Sequence, residues 1–293
     1  VAVEAGIYTE EMELALSMAL EAGATIREFY NNASAETYIK GDGSPVTDAD
    51  LASDRIIRAR LAERFPDDAI LTEEGADDHA RLTNARCWVV DPIDGTQQFI
   101  NRTGEFDVLI TLVVDHRPVV GVLYQPTEDR ALCAVAGQGA FLVQNGERRD
   151  VRLTPVADGE PIRLFTSGYF GAPESLPMLE RITARFSSPV PIVSNRGVTP
   201  RDLLPVTGTS DGLIGVNPNF APTMAWEWDY APSDLFINEA GGRFTDLWGR
   251  TFRYNKATPR NVGGILMTVD PETHARVLAA IAPELPEAPD PNI

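Results

Sequence analysis

Three short stretches place carboxylates where a strand-like run ends or a helix begins: Thr72-Glu73-Glu74-Gly75, Asp91-Pro92-Ile93-Asp94-Gly95-Thr96 and Trp226-Glu227-Trp228-Asp229. In the second, an apolar, β-rich run over 87–90 delivers two acids three residues apart and meets a Pro, a Gly and a Thr. Such a run bounded by turn formers reads as a buried strand. Asp91 and Asp94 cannot both be buried and ionised without a compensating positive charge, because an isolated buried carboxylate is costly. A divalent cation such as Mg²⁺ supplies it, since hard cations take oxygen ligands from a few carboxylates plus substrate phosphate. Gly95 and Thr96 would then offer backbone N–H groups at the start of the next segment, where an anion is favoured. The competing reading is an Asx-type turn closing a strand, which the matching settings of Glu73 and Asp229 weaken.

The elements that must position these groups follow from periodicity. Thr9 reads as an N-cap for a helix with apolar residues at Met12, Leu16, Ala19, Leu20, Gly23, Ile26 and Tyr30. Residues 40–47 form a loop or hairpin, and a second helix runs over 48–64 until Pro66 stops it. Asp48 and Asp50 at its start either complement the helix dipole or serve the site. Residues 69–72 form a strand, 76–86 a polar connection, and 108–115, 119–125 and 130–136 an antiparallel meander, with a hairpin turn at Asn145-Gly146. Further on, strands at 162–166, 192–194 and 212–216 alternate with helices at 174–186 and 199–207, as in an α/β layer. Pro232 is tolerated in a first helical turn, so the next helix should begin near Asp229 and end at Gly241-Gly242. Strands at 243–247 and 264–269, a helix at 271–281 and a loosely ordered acidic, Pro-rich tail from 283 complete the chain. The expected division is an N-terminal α+β part (9–150) with the metal motifs, a C-terminal α/β part (151–285) closing the site, and a tail (286–293).

The chain has 293 residues, 43% of them hydrophobic, enough for one large domain or two closely packed ones. Lys+Arg 25 against Asp+Glu 43 gives a net charge of −18, which repels nucleic acid and anionic membrane. So acidic a chain suits a phosphate substrate when bound cations reverse the local field. Cys87 and Cys133 lie in apolar runs and read as buried thiols, and His79, His116 and His274 lack zinc-ligand spacing. No run reaches the roughly 18 apolar residues of a membrane span, and no signal sequence opens the chain, so a cytoplasmic location is expected.

Together with Trp228-Asp229-Tyr230-Ala231 and Glu239-Ala240-Gly241-Gly242, the first two acidic motifs resemble the inositol monophosphatase family, over roughly residues 12–269. The resemblance implies a layered αβαβα sandwich of the inositol monophosphatase and fructose-1,6-bisphosphatase type. It implies hydrolysis of a small phosphate monoester, two or three Mg²⁺ per site, sensitivity to Li⁺, and a homodimer. Carried over, Glu73, Asp91 and the Ile93 carbonyl bind a first metal, and Asp91, Asp94 and Asp229 a second. Thr96, backed by Asp50, orients the water beside Glu73, and the Gly95 and Thr96 amides hold phosphate oxygens. In-line phosphoryl transfer needs charge neutralised on the phosphate and on the leaving oxygen, which metals provide once the protein has positioned their ligands.

For the leaving group the sequence supports two pockets. The first expectation is an inositol or other sugar or polyol phosphate, whose hydroxyls Glu227 would hold. Alternatively Trp226, Phe220 and Arg196 would accept an adenine and a second phosphate, and Arg102-Thr103-Gly104-Glu105-Phe106 is similar to a loop of 3′(2′),5′-bisphosphate nucleotidases. Histidinol phosphate and fructose 1,6-bisphosphate are further candidates. The segment 194–201 departs from the family's Gly-Ser pattern. A non-catalytic acidic metal-binding protein is the alternative of another class. An EF-hand version fails, because a loop from Asp91 has Ile93 at an oxygen-ligand position and Arg102 where the final Glu belongs.

Overall fold

A computed structural model describes residues 7–167, 176–185, 192–194, 199–203, 209–216 and 226–290. The first helix, α1 (Thr9–Asn32), is followed by a hairpin of β1 (Thr37–Ile39) and β2 (Pro45–Thr47), and then by α2 (Asp48–Arg64). A seven-stranded sheet takes β3 (Ala69–Thr72), β4 (Arg86–Asp94), β5 (Asp107–Val114), β6 (Arg117–Gln125), β7 (Arg130–Val135), β8 (Gly139–Gln144) and β9 (Glu147–Val151) in chain order, with the short helix α3 (Thr96–Ile100) between β4 and β5. β3 runs parallel to β4, and the rest is the expected antiparallel meander. Asn145 and Gly146 at the β8–β9 turn both have positive φ, the requirement of a type I′ hairpin.

The remaining elements are β10 (Leu164–Ser167), α4 (Leu176–Ala184), β11 (Ile192–Ser194), β12 (Gly212–Gly215), α5 (Glu227–Glu239), β13 (Arg243–Thr245), β14 (Ile265–Thr268) and α6 (Pro271–Ile281). Their five strands form a second sheet in the order β11-β10-β12-β14-β13. Three apolar clusters bind the layers. Met12, Met18 and Ile26 of α1 and Ile57 and Leu61 of α2 pack on Trp88, Val90, Ile110 and Val122. On the opposite face, Cys87, Val89, Leu109 and Leu123 meet Trp228, Leu235 and Phe236 of α5, with Phe165, Leu213 and Met267 of the second sheet beyond. Leu164, Ile214 and Leu266 on that sheet's far side pack with Leu179 of α4 and Val277 of α6. The result is the αβαβα sandwich.

This layering explains why 87–90 is continuously apolar. Successive side chains of β4 point to opposite faces, and both faces are covered. Between two sheets, α5 is buried nearly all round. It approaches β6 so closely that a Cβ at Gly121 would lie 3.2 Å from Pro232 Cα.

Several local expectations are corrected. The entry to α1 is made by Tyr8 in the left-handed region, so Tyr8 rather than Thr9 stands at the N-cap position. β4 does not stop at Val90 but continues to Asp94 through a register shift between Asp91 and Asp94. The connection 76–86 contains a 3₁₀ turn, Ala80–Thr83, and the buried Arg81. A 3₁₀ turn, Pro200–Leu203, stands at the start of the expected 199–207 helix, whose residues 204–207 lie outside those described. α5 begins at Glu227, which puts Pro232 in its second turn, and the Asp229 carboxylate accepts the Trp226 N–H at 2.7 Å to fix that earlier start. The acidic tail is docked as far as Pro289: Trp248 Nε1 donates to the Pro286 carbonyl and Arg250 Nη1 to that of Pro289. No described helix is long and apolar enough to cross a membrane.

The Gly121–Pro232 contact gives a direct test of the α5 packing. Gly121→Val should lower the unfolding free energy by about 1–3 kcal/mol, read as a lower denaturant midpoint with an unchanged slope.

Candidate metal and phosphate site

β3 and β4 run parallel, and β3 ends opposite Val90 while β4 continues to Asp94, so Glu73 follows one strand beside the Asp91–Asp94 end of the other. The Glu73 N–H donates to the Val90 carbonyl at 3.1 Å, which locks the two exits to each other. The register shift between Asp91 and Asp94 leaves both acids paired with β5, Asp91 opposite Leu109 and Asp94 opposite Asp107. Asp91 Oδ1 accepts the Ile93 N–H at 2.9 Å, closing the tight turn that the Asx reading anticipated, here within an acidic cluster. The third contributor comes from the far side of the sheet, at the N-terminus of α5. Carboxylate oxygens of Asp91, Asp94 and Asp229 lie within 4.8 Å of one another.

Behind them stands the first turn of α2, where a capping box forms because Thr47 and Asp50 are spaced for it. Asp50 Oδ2 accepts the Thr47 N–H at 2.8 Å and its hydroxyl at 2.5 Å, while Asp50 Oδ1 accepts the Thr96 hydroxyl at 3.0 Å. One turn on, the Ser53 hydroxyl donates to the Pro92 carbonyl at 3.0 Å, and Asp54 accepts the Thr72 hydroxyl at 2.6 Å. The polar face of α2 thus grips the ends of β3 and β4. Asp50 therefore serves both the helix and the site. The Ile93 carbonyl lies 3.3 Å from Thr96 Oγ1, on the same turn as the acids. Gly95 joins this turn to α3 at φ 96°, and a Cβ there would be 2.9 Å from the Glu105 carbonyl, so only glycine suits both the dihedral and the space. The first amides of α3 have no acceptor within the helix, the property assigned to the Gly95–Thr96 corner.

Burial pushes the Asp91 carboxyl well above the usual range, and the charges of Glu73, Asp94, Asp229 and Asp50 raise it further. Burial raises Asp229 likewise, as do Asp94 and Glu73, against the opposing bond from the Trp226 N–H. Asp50 is also raised by burial, opposed by its bonds from Thr47 and Thr96. These acids resist being charged together, and the site suits a cation that would relieve them: hard oxygen donors converging at one point fit Mg²⁺. Glu73 offers its carboxylate at the same edge.

Lys40, which the sequence reading did not single out, reaches over from the β1–β2 hairpin. Its ammonium lies 2.5 Å from Glu73 Oε1 and 2.9 Å from Glu74 Oε1. Burial works against its charge, but the two carboxylates outweigh this and hold its pKa above the ordinary value. Glu74 is pushed up to about 7 by burial, against the pull of Lys40. The turn formers at 40–47 were the available signal, since a lysine among them has no helix or strand to belong to.

The leaving-group assignments fare differently. Glu227 is not presented to a polyol: its side chain is fully buried and its oxygens accept the N–H groups of Asn255 at 2.6 Å and Lys256 at 3.2 Å. Burial lifts it to about 7, opposed by Lys256 and those backbone bonds. Trp226 stacks on Trp228, with ring centroids 4.9 Å apart, and the Arg260 guanidinium covers it at 4.1 Å, so a base would meet Arg260 rather than the indole. Arg196 and Phe220 lie outside the described residues.

Known proteins resemble this chain over most of its length. The model of the inositol monophosphatase family matches residues 8–286. The 3′(2′),5′-bisphosphate nucleotidase CysQ of Aggregatibacter actinomycetemcomitans is 31% identical over 254 residues, 85% of this chain and 89% of the relative. The histidinol-phosphatase of Chlorobaculum parvum is 29% identical over 242 residues, covering 83% and 88%. Among solved structures, CysQ from Bacteroides thetaiotaomicron superposes with a TM-score of 0.70 at 28% identity, over 89% of this chain and 98% of that one.

The raised carboxyls set the pH dependence of the metal-free protein. A carboxyl whose folded pKa exceeds its unfolded value near 4 binds more protons when folded, so stability is lost as pH rises through the folded value. Burial holds Asp234 at about 6, and Glu227 and Glu74 stand at about 7, with Asp91 and Asp229 well above the usual range. In chelator, thermal melting should therefore move to lower temperature from roughly pH 5 to roughly pH 8. Added Mg²⁺ should restore more at the upper end of that range. A melting temperature that rises with pH in chelator would contradict the arrangement.

Proposed function

Since the chain belongs to the inositol monophosphatase family of metal-dependent phosphatases, we propose that it uses two or three Mg²⁺ ions to remove a phosphate from a 3′(2′),5′-bisphosphate nucleotide. The observation that carries the substrate choice is Arg260, whose guanidinium stacks on Trp226 three residues before Asp229, with no ion pair to a described carboxylate. A guanidinium so placed pairs with a second phosphate and offers its plane to a base. The nucleotidase relative supports the same choice. An inositol or other polyol phosphate would need hydroxyl partners other than Glu227, whose oxygens are taken by backbone.

Bound Mg²⁺ supplies charge neutralisation on the phosphate and the leaving oxygen and acidifies the attacking water. Asp91, Asp94 and Asp229, with Glu73 and the Ile93 carbonyl, would hold the metal. The Thr96 hydroxyl donates its proton to Asp50, so its free lone pair accepts one hydrogen of the water and aims it. Glu73 is the carboxylate to which the other hydrogen passes. The Gly95–Thr96 amides hold phosphate oxygens.

A panel of 3′-phosphoadenosine 5′-phosphate, inositol 1-phosphate, histidinol phosphate and fructose 1,6-bisphosphate, with and without Mg²⁺ and Li⁺, tests this directly. The bisphosphate nucleotide should give the highest kcat/KM, and equal rates on all four would indicate a generalist. Asp91→Asn should abolish the Mg²⁺-dependent activity and melt no lower than wild type in chelator, because it removes one of the repelling charges. Thr96→Val should lower kcat by about 10²–10⁴-fold, the usual range for a positioned proton acceptor. Full activity in either variant refutes the mechanism.

A further inference from the structure

The Asp229 carboxylate comes within 4.8 Å of those of Asp91 and Asp94 from the far side of the sheet, so its place depends on how the N-terminus of α5 is held. Something must hold it there before a cation arrives. Glu227 is the first residue of α5 and is fully buried. Its N–H donates to the Pro259 carbonyl at 3.0 Å, and its two oxygens take the N–H groups of Asn255 and Lys256. The helix entry is thereby bolted to the turn 255–259 at three points. That turn is fixed in its own right by Arg81, 3% exposed, whose Nη1 donates to Asn255 Oδ1 and the Lys256 carbonyl, both at 2.8 Å. Asn255 Nδ2 returns a bond to the Arg81 carbonyl at 3.1 Å. The other edge of the Arg81 guanidinium holds the Asp77 carboxylate at 3.1 and 2.7 Å. Asp77 and Arg81 lie on the connection between β3 and β4, the two strands that deliver Glu73, Asp91 and Asp94.

We propose that Glu227, anchored through Asn255 to Arg81, is the positioning residue that holds Asp229 in register with Asp91 and Asp94 and so sets metal affinity. It touches neither substrate nor metal. It acts by tying the helix that carries one ligand to the connection between the strands that carry the others. This inference rests on the metal-site reading of the cluster.

The test is Mn²⁺ binding to the metal-free full-length protein by electron paramagnetic resonance, paired with the Mg²⁺ dependence of phosphatase rate. Glu227→Gln keeps the volume and one acceptor oxygen. It should weaken Mn²⁺ binding about tenfold, as loss of an outer-shell partner does, and raise half-saturating Mg²⁺ to match, with kcat at saturating Mg²⁺ within about twofold of wild type. Asp234→Asn is the control: an equally buried carboxylate on α5, bonded to the Tyr254 hydroxyl at 3.0 Å and to no backbone group of 255–259. It should lower the melting temperature and leave Mn²⁺ affinity unchanged. Arg81→Lys loses the two-edged anchor and should weaken Mn²⁺ in the same direction, a reading available even where Glu227→Gln fails to fold. Wild-type Mn²⁺ affinity in a folded Glu227→Gln or Arg81→Lys protein, or equal weakening in Asp234→Asn, overturns the inference. Absence of Mn²⁺ binding in the wild type overturns the metal-site reading with it.

Discussion

Repulsion among carboxylates is the constraint that the rest of the structure answers. Like charges about 4 Å apart cost on the order of 4 kcal/mol even in a well-screened protein environment, and Asp91, Asp94 and Asp229 share one point with Glu73 and Asp50 close by. A soft scaffold would relax and separate them. This one cannot, because each acid is attached to an element that is already over-determined: β4 between two packed faces, α2 by its capping box, α5 between two sheets. The acids therefore remain together, and burial holds the protons of Asp91, Asp229 and Asp50 more tightly than usual, which prepares a site for a cation.

The layers also explain where the site lies. Only β3 and β4 are parallel in the large sheet, so only there do two strand exits open at the same edge. α5 starts at that edge after the chain has passed through the second sheet, and α2 starts there on the opposite face. Four segments distant in sequence meet because their helix starts and strand ends coincide. The β1–β2 hairpin adds Lys40 from outside this frame, a monovalent charge on Glu73 and Glu74.

Local signals were strong where a residue's role was satisfied by its neighbours in sequence. Thr47 and Asp50 make a capping box within one turn, Asn145-Gly146 makes a hairpin within two residues, and Asp91 closes its turn onto Ile93. They were weak where the partner was remote. Glu227 beside Trp228-Asp229 carried the pattern of a site acid, yet its partners are backbone amides of residues 255 and 256, which no local pattern announces. Arg81 looked like one charge in a polar connection, whereas burial against Asn255 makes it a strut. Pro232 argued for a later start to α5, but the Trp226–Asp229 bond outweighed that preference. The tail read as loose by composition, and two carbonyl contacts dock it.

By itself the sequence determined the acids, the glycine at the Gly95 corner, the order of strands and helices, and hence the family and its chemistry, because these depend on residue types and short spacings. Tertiary structure decided which acids point at the site and which serve as braces, since a carboxylate's role is set by what faces it. Asp229 and Glu227 differ by two positions and by less than one helical turn, enough to send one toward Asp91 and Asp94 and the other into the 255–259 turn.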